Sequence, residues 1–331
     1  MITIQDVAKT AGVSVASVSR VINNSSAVAP KTREKVLQVI NTLNYQPNLL
    51  GRNLRRLEAR RILVLLPTIS NPFYTNIVRG IEDIARKNGF NVMLCNTDSD
   101  VNREKDYLEI LKNRLSDGVI MMGPELSVEE LTDLVEKFPV IQCCEYIEGV
   151  KGVHVSIDNF VAAVKAVNHL IRMGHKRIGL ISCKNRFIST TQRIEGYKEA
   201  LKAADITFDA SLIQYVDDYD FKSGYRIMQP FLERKDRPTA IFALSDVVAI
   251  GAMRRIKESG LSIPEDIAVV GFDDISFAAM SNPSLTTIFQ PQYDIGCVAM
   301  NLLIKQMQGQ TVDTTAIYLE HELIIRESTM K

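Results

Sequence analysis

A chain of 331 residues is too long for one ordinary domain, and its make-up, 46% hydrophobic and 24% charged, excludes disordered and fibrous classes. Net charge is zero, 39 basic against 39 acidic residues, yet residues 1–61 hold ten basic groups against three acids, so the remainder is acidic. That asymmetry is the footprint of a basic nucleic-acid-binding module joined to a body that does not bind nucleic acid; a solvated basic tail is the plainer alternative. The five cysteines, Cys95, Cys143, Cys144, Cys183 and Cys297, follow no metal-ligand spacing and read as reduced thiols of a cytoplasmic protein. No secretion signal and no membrane-spanning run is expected.

Thr3-Ile4-Gln5-Asp6 has the form of a capping box. It opens an apolar series at Ile4, Val7, Ala8 and Ala11, which predicts a short helix ended by Gly12. Ser14 suits the cap of a second helix, whose Val18, Val21 and Ile22 share one apolar face. Two short helices across a tight turn form a helix-turn-helix pattern. A third helix beyond Pro30, with Val36, Val39, Ile40 and Leu43 on one face, completes a three-helix core.

The exposed side of the second helix then carries Val15, Ala16, Ser17, Ser19, Arg20 and Asn23. Arg20 is the side chain able to read guanine bidentately, and Val15 and Ala16 suit thymine methyls. The caps Thr3 and Ser14 and the hydroxyls of Ser17 and Ser19 suit phosphates. Pro47 next opens a helix-compatible stretch from Asn48 to Arg56, with Leu54 apolar among Arg52, Arg55 and Arg56. So short and basic a helix is marginal alone and is expected to order against double-stranded DNA; an ordinary basic linker is the other reading.

From Ile62 onward, short β-branched runs alternate with helical patterns. ILVLL, NVMLC, GVIMM and VIQCC are separated by helices through Ile77, Leu111 and Leu134. After Ser156 the rhythm restarts, with RIGLI, LIQYV, TAIFAL and IAVVGF between further helices. Repeated βαβ units predict doubly wound parallel sheets, and the restart predicts two similar α/β lobes. Arg79-Gly80-Ile81 and Glu195-Gly196-Tyr197, each in the first helix of its lobe, fit a duplication.

Thr3 to Arg20 (TIQDVAKTAGVSVASVSR), Tyr45 to Asn48 (YQPN) and Gly51 to Leu54 (GRNL) together resemble the LacI family of bacterial transcriptional regulators. The resemblance extends through Asn71-Pro72-Phe73-Tyr74, Gly174 to Gly179, Arg193 to Tyr197, Ser245-Asp246, Gly271 to Ile275 and Leu285 to Pro291. It implies a homodimeric repressor with a sensor of periplasmic-binding-protein type. Residues 1–46 would be the helix-turn-helix domain and 47–61 a hinge helix that sets Asn48, Gly51 and Leu54 on DNA, Leu54 as a minor-groove wedge. Glycine at 51, where the family usually has alanine, lowers helix propensity by roughly 1 kcal/mol. The sensor lobes would be 62–158 plus 289–321 and 159–288 plus 322–331, with chain crossings near Asp158, Phe289 and Glu322.

Open α/β sheets bind ligands at the carboxyl ends of their strands, where most of these motifs fall. Phe73, Tyr74 and Phe221 are the candidate stacking residues, and Ser189, Arg193, Ser245, Asp246, Asp273 and Gln290 the candidate hydrogen-bonding ones, for a small-molecule effector. Each has a plainer reading, Asp273 as a loop cap, Arg193 as a lobe contact, Phe73 as core. GRNLRR with EARRILV, TTIFQPQYDIG, QMQGQ and ELIIREST point within the family toward a nucleoside-responsive member, with a sugar as the other effector class. Four histidines without metal spacing, no GxSxG elbow, and a Gly118–Gly123 spacing that lacks the phosphate lysine argue against catalysis, a cofactor or a metal. An enzyme, or a sensor acting without DNA, would leave the first sixty residues unexplained.

Overall fold

The computed structural model describes residues 2–22, 27–45 and 59–330. The chain divides into two units, residues 1–58 and 59–331.

The first unit packs α1 (Ile4–Ala11), α2 (Val15–Ile22) and α3 (Pro30–Thr42) around Val7, Ala8, Ala11, Val18, Val21 and Val36. Both halves of the capping box form. The Thr3 hydroxyl accepts from Asp6 N–H at 3.3 Å, and Asp6 Oδ2 accepts from Thr3 N–H at 2.8 Å. Gly12 sits at φ 61°, the left-handed conformation that glycine adopts at little cost, and its N–H returns to the carbonyls of Ala8 and Lys9. Tyr45, whose core role the helix spacing did not signal, closes the base of this cluster.

The second unit holds two six-stranded sheets. In chain order the first lobe contributes β1 (Arg61–Leu66), α4 (Phe73–Lys87), β2 (Asn91–Asn96), α5 (Val101–Lys112), β3 (Gly118–Met121), α6 (Val128–Lys137), β4 (Val140–Cys143) and β5 (Val153–Ile157). There follow α7 (Asn159–Arg172), β6 (Ile178–Cys183), α8 (Ile188–Ala203), β7 (Ile213–Val216), α9 (Phe221–Ile227), α10 (Gln229–Leu232), β8 (Ala240–Ala243), α11 (Asp246–Glu258), β9 (Ala268–Asp273), α12 (Ser276–Met280) and β10 (Thr286–Phe289). The chain closes with α13 (Gln292–Met307), β11 (Ala316–Leu319) and β12 (Glu322–Ile324).

The first sheet runs β11-β5-β4-β3-β1-β2, parallel throughout. The second runs β12-β10-β9-β8-β6-β7 and is parallel except for β12, which lies antiparallel to β10. Strand β1 explains why its sequence is continuously apolar. Ile62, Val64 and Leu66 face the α4 side, Leu63 and Leu65 the α5 and α6 side, so both faces are buried. The sequence pattern leaves β5, β10, β11 and β12 unmarked, since His154, Ser156, Thr286, Thr287, Tyr318 and Glu322 interrupt their apolar character.

The helices cross at glycines. A Cβ on Gly80 of α4 would lie 2.2 Å from the Tyr293 carbonyl oxygen of α13, and one on Gly296 of α13 would lie 2.1 Å from that of Ile77. Gly196 of α8 meets the Phe160 carbonyl of α7 in the same way, at 2.5 Å. The likeness between Arg79-Gly80-Ile81 and Glu195-Gly196-Tyr197 is therefore a shared packing device. All five cysteines are free, four of them buried, and no described helix is long and apolar enough to cross a membrane.

Candidate functional site

On the first unit, Ser14 Oγ accepts from Ser17 N–H at 3.1 Å and lies 2.9 Å from Ser17 Oγ, fixing the start of α2. Thr3, Ser14, Ala16 and Arg20 are exposed, whereas Val15, Ser17 and Ser19 are half-buried, Val15 against the core. An eight-residue helix wedged against two others hides more than one apolar stripe, so the outward face is narrower than the spacing predicts. Asn23, Asn48, Gly51 and Leu54 lie outside the described residues.

In the second unit the sheet ends bring most of the sensor candidates together. A pocket of about 30 Å³ is lined by Phe73, Tyr74, Ser189, Arg193, Ser245 and Asp273, joined by Asn71, Glu145, Phe187, Tyr219 and Leu244, none of which was singled out as a candidate from the sequence. It opens beside a chamber of about 370 Å³, which shares Glu145 and Phe187 and adds Glu125, Tyr146, Glu148 and Arg186. The chamber has the size of small-molecule sites.

The aromatic wall is set by Asn71, whose Oδ1 accepts from Phe73 N–H at 3.0 Å and starts α4 immediately after the β1 loop. The Phe73 and Tyr74 rings then meet edge to face at 5.2 Å. Both are buried, and burial, with the nearby Glu145 carboxyl, pushes the Tyr74 phenol well above its ordinary range.

Arg193, on α8, is the polar centre. Its Nε donates to Asn159 Oδ1 at 2.9 Å, its Nη1 donates to the Leu244 carbonyl at 2.7 Å, and its guanidinium lies 3.6 Å over the Phe272 ring. Asp273 Oδ1 is 4.0 Å from Arg193 Nη1. Asp273 ends β9 at φ 116°, a strained conformation for a non-glycine residue. It is held there by Gln290, which donates to its carboxylate at 2.8 Å, and by Gln292, which donates to its carbonyl at 2.6 Å.

Two candidates support the wall from behind. Asp246 is fully buried and accepts from Ile275 N–H at 2.9 Å, in the loop that follows Asp273, and from the Thr287 hydroxyl of β10, so its two oxygens tie that loop to the neighbouring strand. Gly271 leaves room for it, since a Cβ there would stand 2.2 Å from Asp246 Oδ1. Gln290 acts through Asp273. Phe221 stands apart, 42% exposed, and lines a different groove with Tyr225 and Arg254.

Burial pushes the carboxyls of Glu145 and Asp273 up to about 7, Asp273 additionally through the Glu145 charge and against the pull of Arg193. Glu104, beneath the chamber wall, is pushed up to about 7 by burial as well. Groups whose folded pKa is raised stabilise the fold below their unfolded pKa and lose that contribution as pH rises through the folded value. His154, His169 and His321, whose pKa values burial lowers, act oppositely but finish titrating near their ordinary value. The sensor's thermal midpoint is therefore expected to fall between about pH 6.5 and about pH 8, and the joint Asp273→Asn and Glu145→Gln variant to flatten that fall. Melting curves across this range check it; an unchanged slope in the variant would refute the assignment.

Residues 3–48 match the pattern described as bacterial regulatory proteins, lacI family, and residues 167–329 that of a periplasmic binding protein-like domain. The transcriptional repressor CytR of Escherichia coli strain K12 is 39% identical over 99% of this chain and 96% of its own length. The lac repressor dimer, bound to operator and the anti-inducer ONPF, superposes with a TM-score of 0.90 at 29% identity, covering 100% of this chain and 99% of that one. A LacI family regulator from Enterococcus faecium with bound ribose covers 81% of this chain and 98% of its own, with a TM-score of 0.73 and 33% identity.

Proposed function

This chain belongs to the lacI family of bacterial regulatory proteins, and we propose from that premise that it is a cytoplasmic, homodimeric repressor whose effector, a nucleoside or sugar, binds at Arg193 and Asp273. It is a DNA-binding transcriptional regulator, not an enzyme. One observation carries the reading. The chain that presents Ala16 and Arg20 outward on α2 also encloses two buried carboxyls, a buried guanidinium and paired aromatic rings at the ends of its sheet strands.

The domain assignment follows the same reading: 1–46 for DNA, 47–61 for the hinge with Leu54 as the minor-groove wedge, 62–158 plus 289–321 and 159–288 plus 322–331 for the two lobes. The strand order supports it, because β11 joins the first sheet while β10 and β12 join the second. Ribose bound to the Enterococcus faecium regulator supports a sugar or sugar-bearing effector. Free thiols and a DNA target support the cytoplasm.

Binding to a near-palindromic operator selected from random DNA should fall steeply with salt, the log-log slope steepening by about 0.9 per phosphate contact. Arg20→Ala should cost about 1–3 kcal/mol and relax base preference at one symmetric position. Salt-independent binding, or no selected sequence, would sink the repressor reading.

A further inference from the structure

Glu145 follows β4 in the first lobe and is buried, yet its partners lie in the second. Its carboxylate accepts from Ser189 N–H at 3.1 Å and from Ser189 Oγ–H at 2.5 Å. Gln192, one turn further along α8, donates to the Tyr146 hydroxyl at 3.1 Å, next to Glu145 in the chain. Phe187, at the cap of α8, lays its ring so close to Gly123 of the first lobe that a Cβ there would come within 3.1 Å. One helix end thus grips the opposite lobe through three side chains. The pocket beside Glu145 is about 30 Å³, about the share of one water, so while Ser189 and Glu145 stay joined the inner end of the cleft holds no more than that.

We infer that Glu145 is a built-in stand-in for the effector, bridging the lobes to α8 when no effector is present and admitting only effectors without negative charge. The inference rests on the cleft being the effector site, as proposed above. The start of a helix attracts anions through its free N–H groups, and here the chain's own carboxylate has taken that place. Arg193, the cation of the inner pocket, is committed to Asn159 and to the Leu244 carbonyl, while Asp273 adds a second buried acid; Arg186 lines the outer chamber, where Glu125, Glu145 and Glu148 outnumber it. An effector that displaces Ser189 must donate a hydrogen bond to Glu145 and accept one from the Ser189 N–H. A hydroxyl does both. A dianionic phosphate group or a carboxylate placed there offers acceptors only and brings like charge against Glu145. The effector class is accordingly a neutral or cationic polyhydroxyl compound, and its phosphorylated form is refused.

Ser189 is the second residue of α8, so its N–H has no acceptor within the helix and its hydrogen exchange reports the Glu145 bond. In the effector-free full chain, Glu145→Ala should speed exchange of that amide by about tenfold or more, since each tenfold change corresponds to about 1.4 kcal/mol. Glu145→Gln, which retains an acceptor, should hold most of the protection, and Ser189→Ala should keep the N–H bond. Unchanged exchange in β8 separates release of the latch from unfolding. Calorimetric titration of cytidine, adenosine and ribose beside their 5′-phosphates reads the charge selection. Any neutral compound that binds should do so at least about tenfold more tightly than its phosphate, with that gap narrowed by about tenfold in Glu145→Gln. Equal exchange in wild type and Glu145→Ala overturns the latch, and equal affinity for a compound and its phosphate overturns the selection. Exchange that behaves as expected while no compound binds supports the latch and counts against the effector reading.

Discussion

Gly296→Ala is expected to lower the stability of the sensor by about 2–3 kcal/mol and its thermal midpoint by about 3–5 °C. The new methyl would stand 2.1 Å from the Ile77 carbonyl oxygen and close to the Ile81 nitrogen, both backbone atoms of α4, so no side-chain rotation relieves the overlap. Helices α4 and α13 must separate, and the apolar contacts that Ile77, Ile81, Ala299 and Met300 make in the shared core loosen with them. Alanine's better helix propensity returns roughly 1 kcal/mol, which is why the net figure stays below the most severe overpacking costs. Gly80→Ala should behave alike, and the double variant should cost less than the sum because one separation accommodates both methyls. Differential scanning calorimetry on the full chain checks this; a midpoint within about 1 °C of wild type would mean the helices do not cross as closely as described.

Arg193→Ala is the second large effect and concerns function. The guanidinium ties Asn159 to the Leu244 carbonyl and lies over Phe272, so truncation removes two charge-assisted hydrogen bonds and the stack. It also leaves Asp273 without its neighbouring cation at 4.0 Å. Removing a buried charged hydrogen-bond partner of the effector costs about 2–5 kcal/mol of binding, enough to take a micromolar effector toward millimolar. Operator binding should survive, because residues 1–58 form a separate unit. Effector titration of the operator complex measures both. A wild-type response in Arg193→Ala would remove the cleft as the effector site, whereas loss of operator binding would show that Arg193 holds the fold.

Signals in the sequence are legible where the physics is local. Thr3 and Asp6 cap within one turn, Gly12 ends its helix where a left-handed residue is needed, and ILVLL, buried on both faces, is what a central parallel strand requires. Motif-borne residues, Phe73, Arg193 and Asp273, reach one pocket from separate stretches of chain. Glu145 escaped notice because its meaning depends on Ser189, 44 residues away, and because VIQCCEY reads as a strand and its exit. Asn159 and Tyr219 escaped for the same reason, since nothing near them in sequence announces Arg193 or the pocket. The motifs mark Asp246 and Gln290 but not their partners: Asp246 holds Ile275 and Thr287, and Gln290 holds Asp273.

The strand order has a consequence for synthesis on the ribosome. The first sheet is not complete when its first five strands have emerged, because β5 waits for β11 and α4 waits for α13, both made after every strand of the second sheet but β12. Until residues 292–319 have been translated, the nascent chain carries an open sheet edge and an uncovered apolar helix face, the surfaces on which chaperones and proteases act. A messenger cut short before that point is expected to yield a polypeptide that keeps both surfaces open, so the demand on quality control falls on the last stretch of translation.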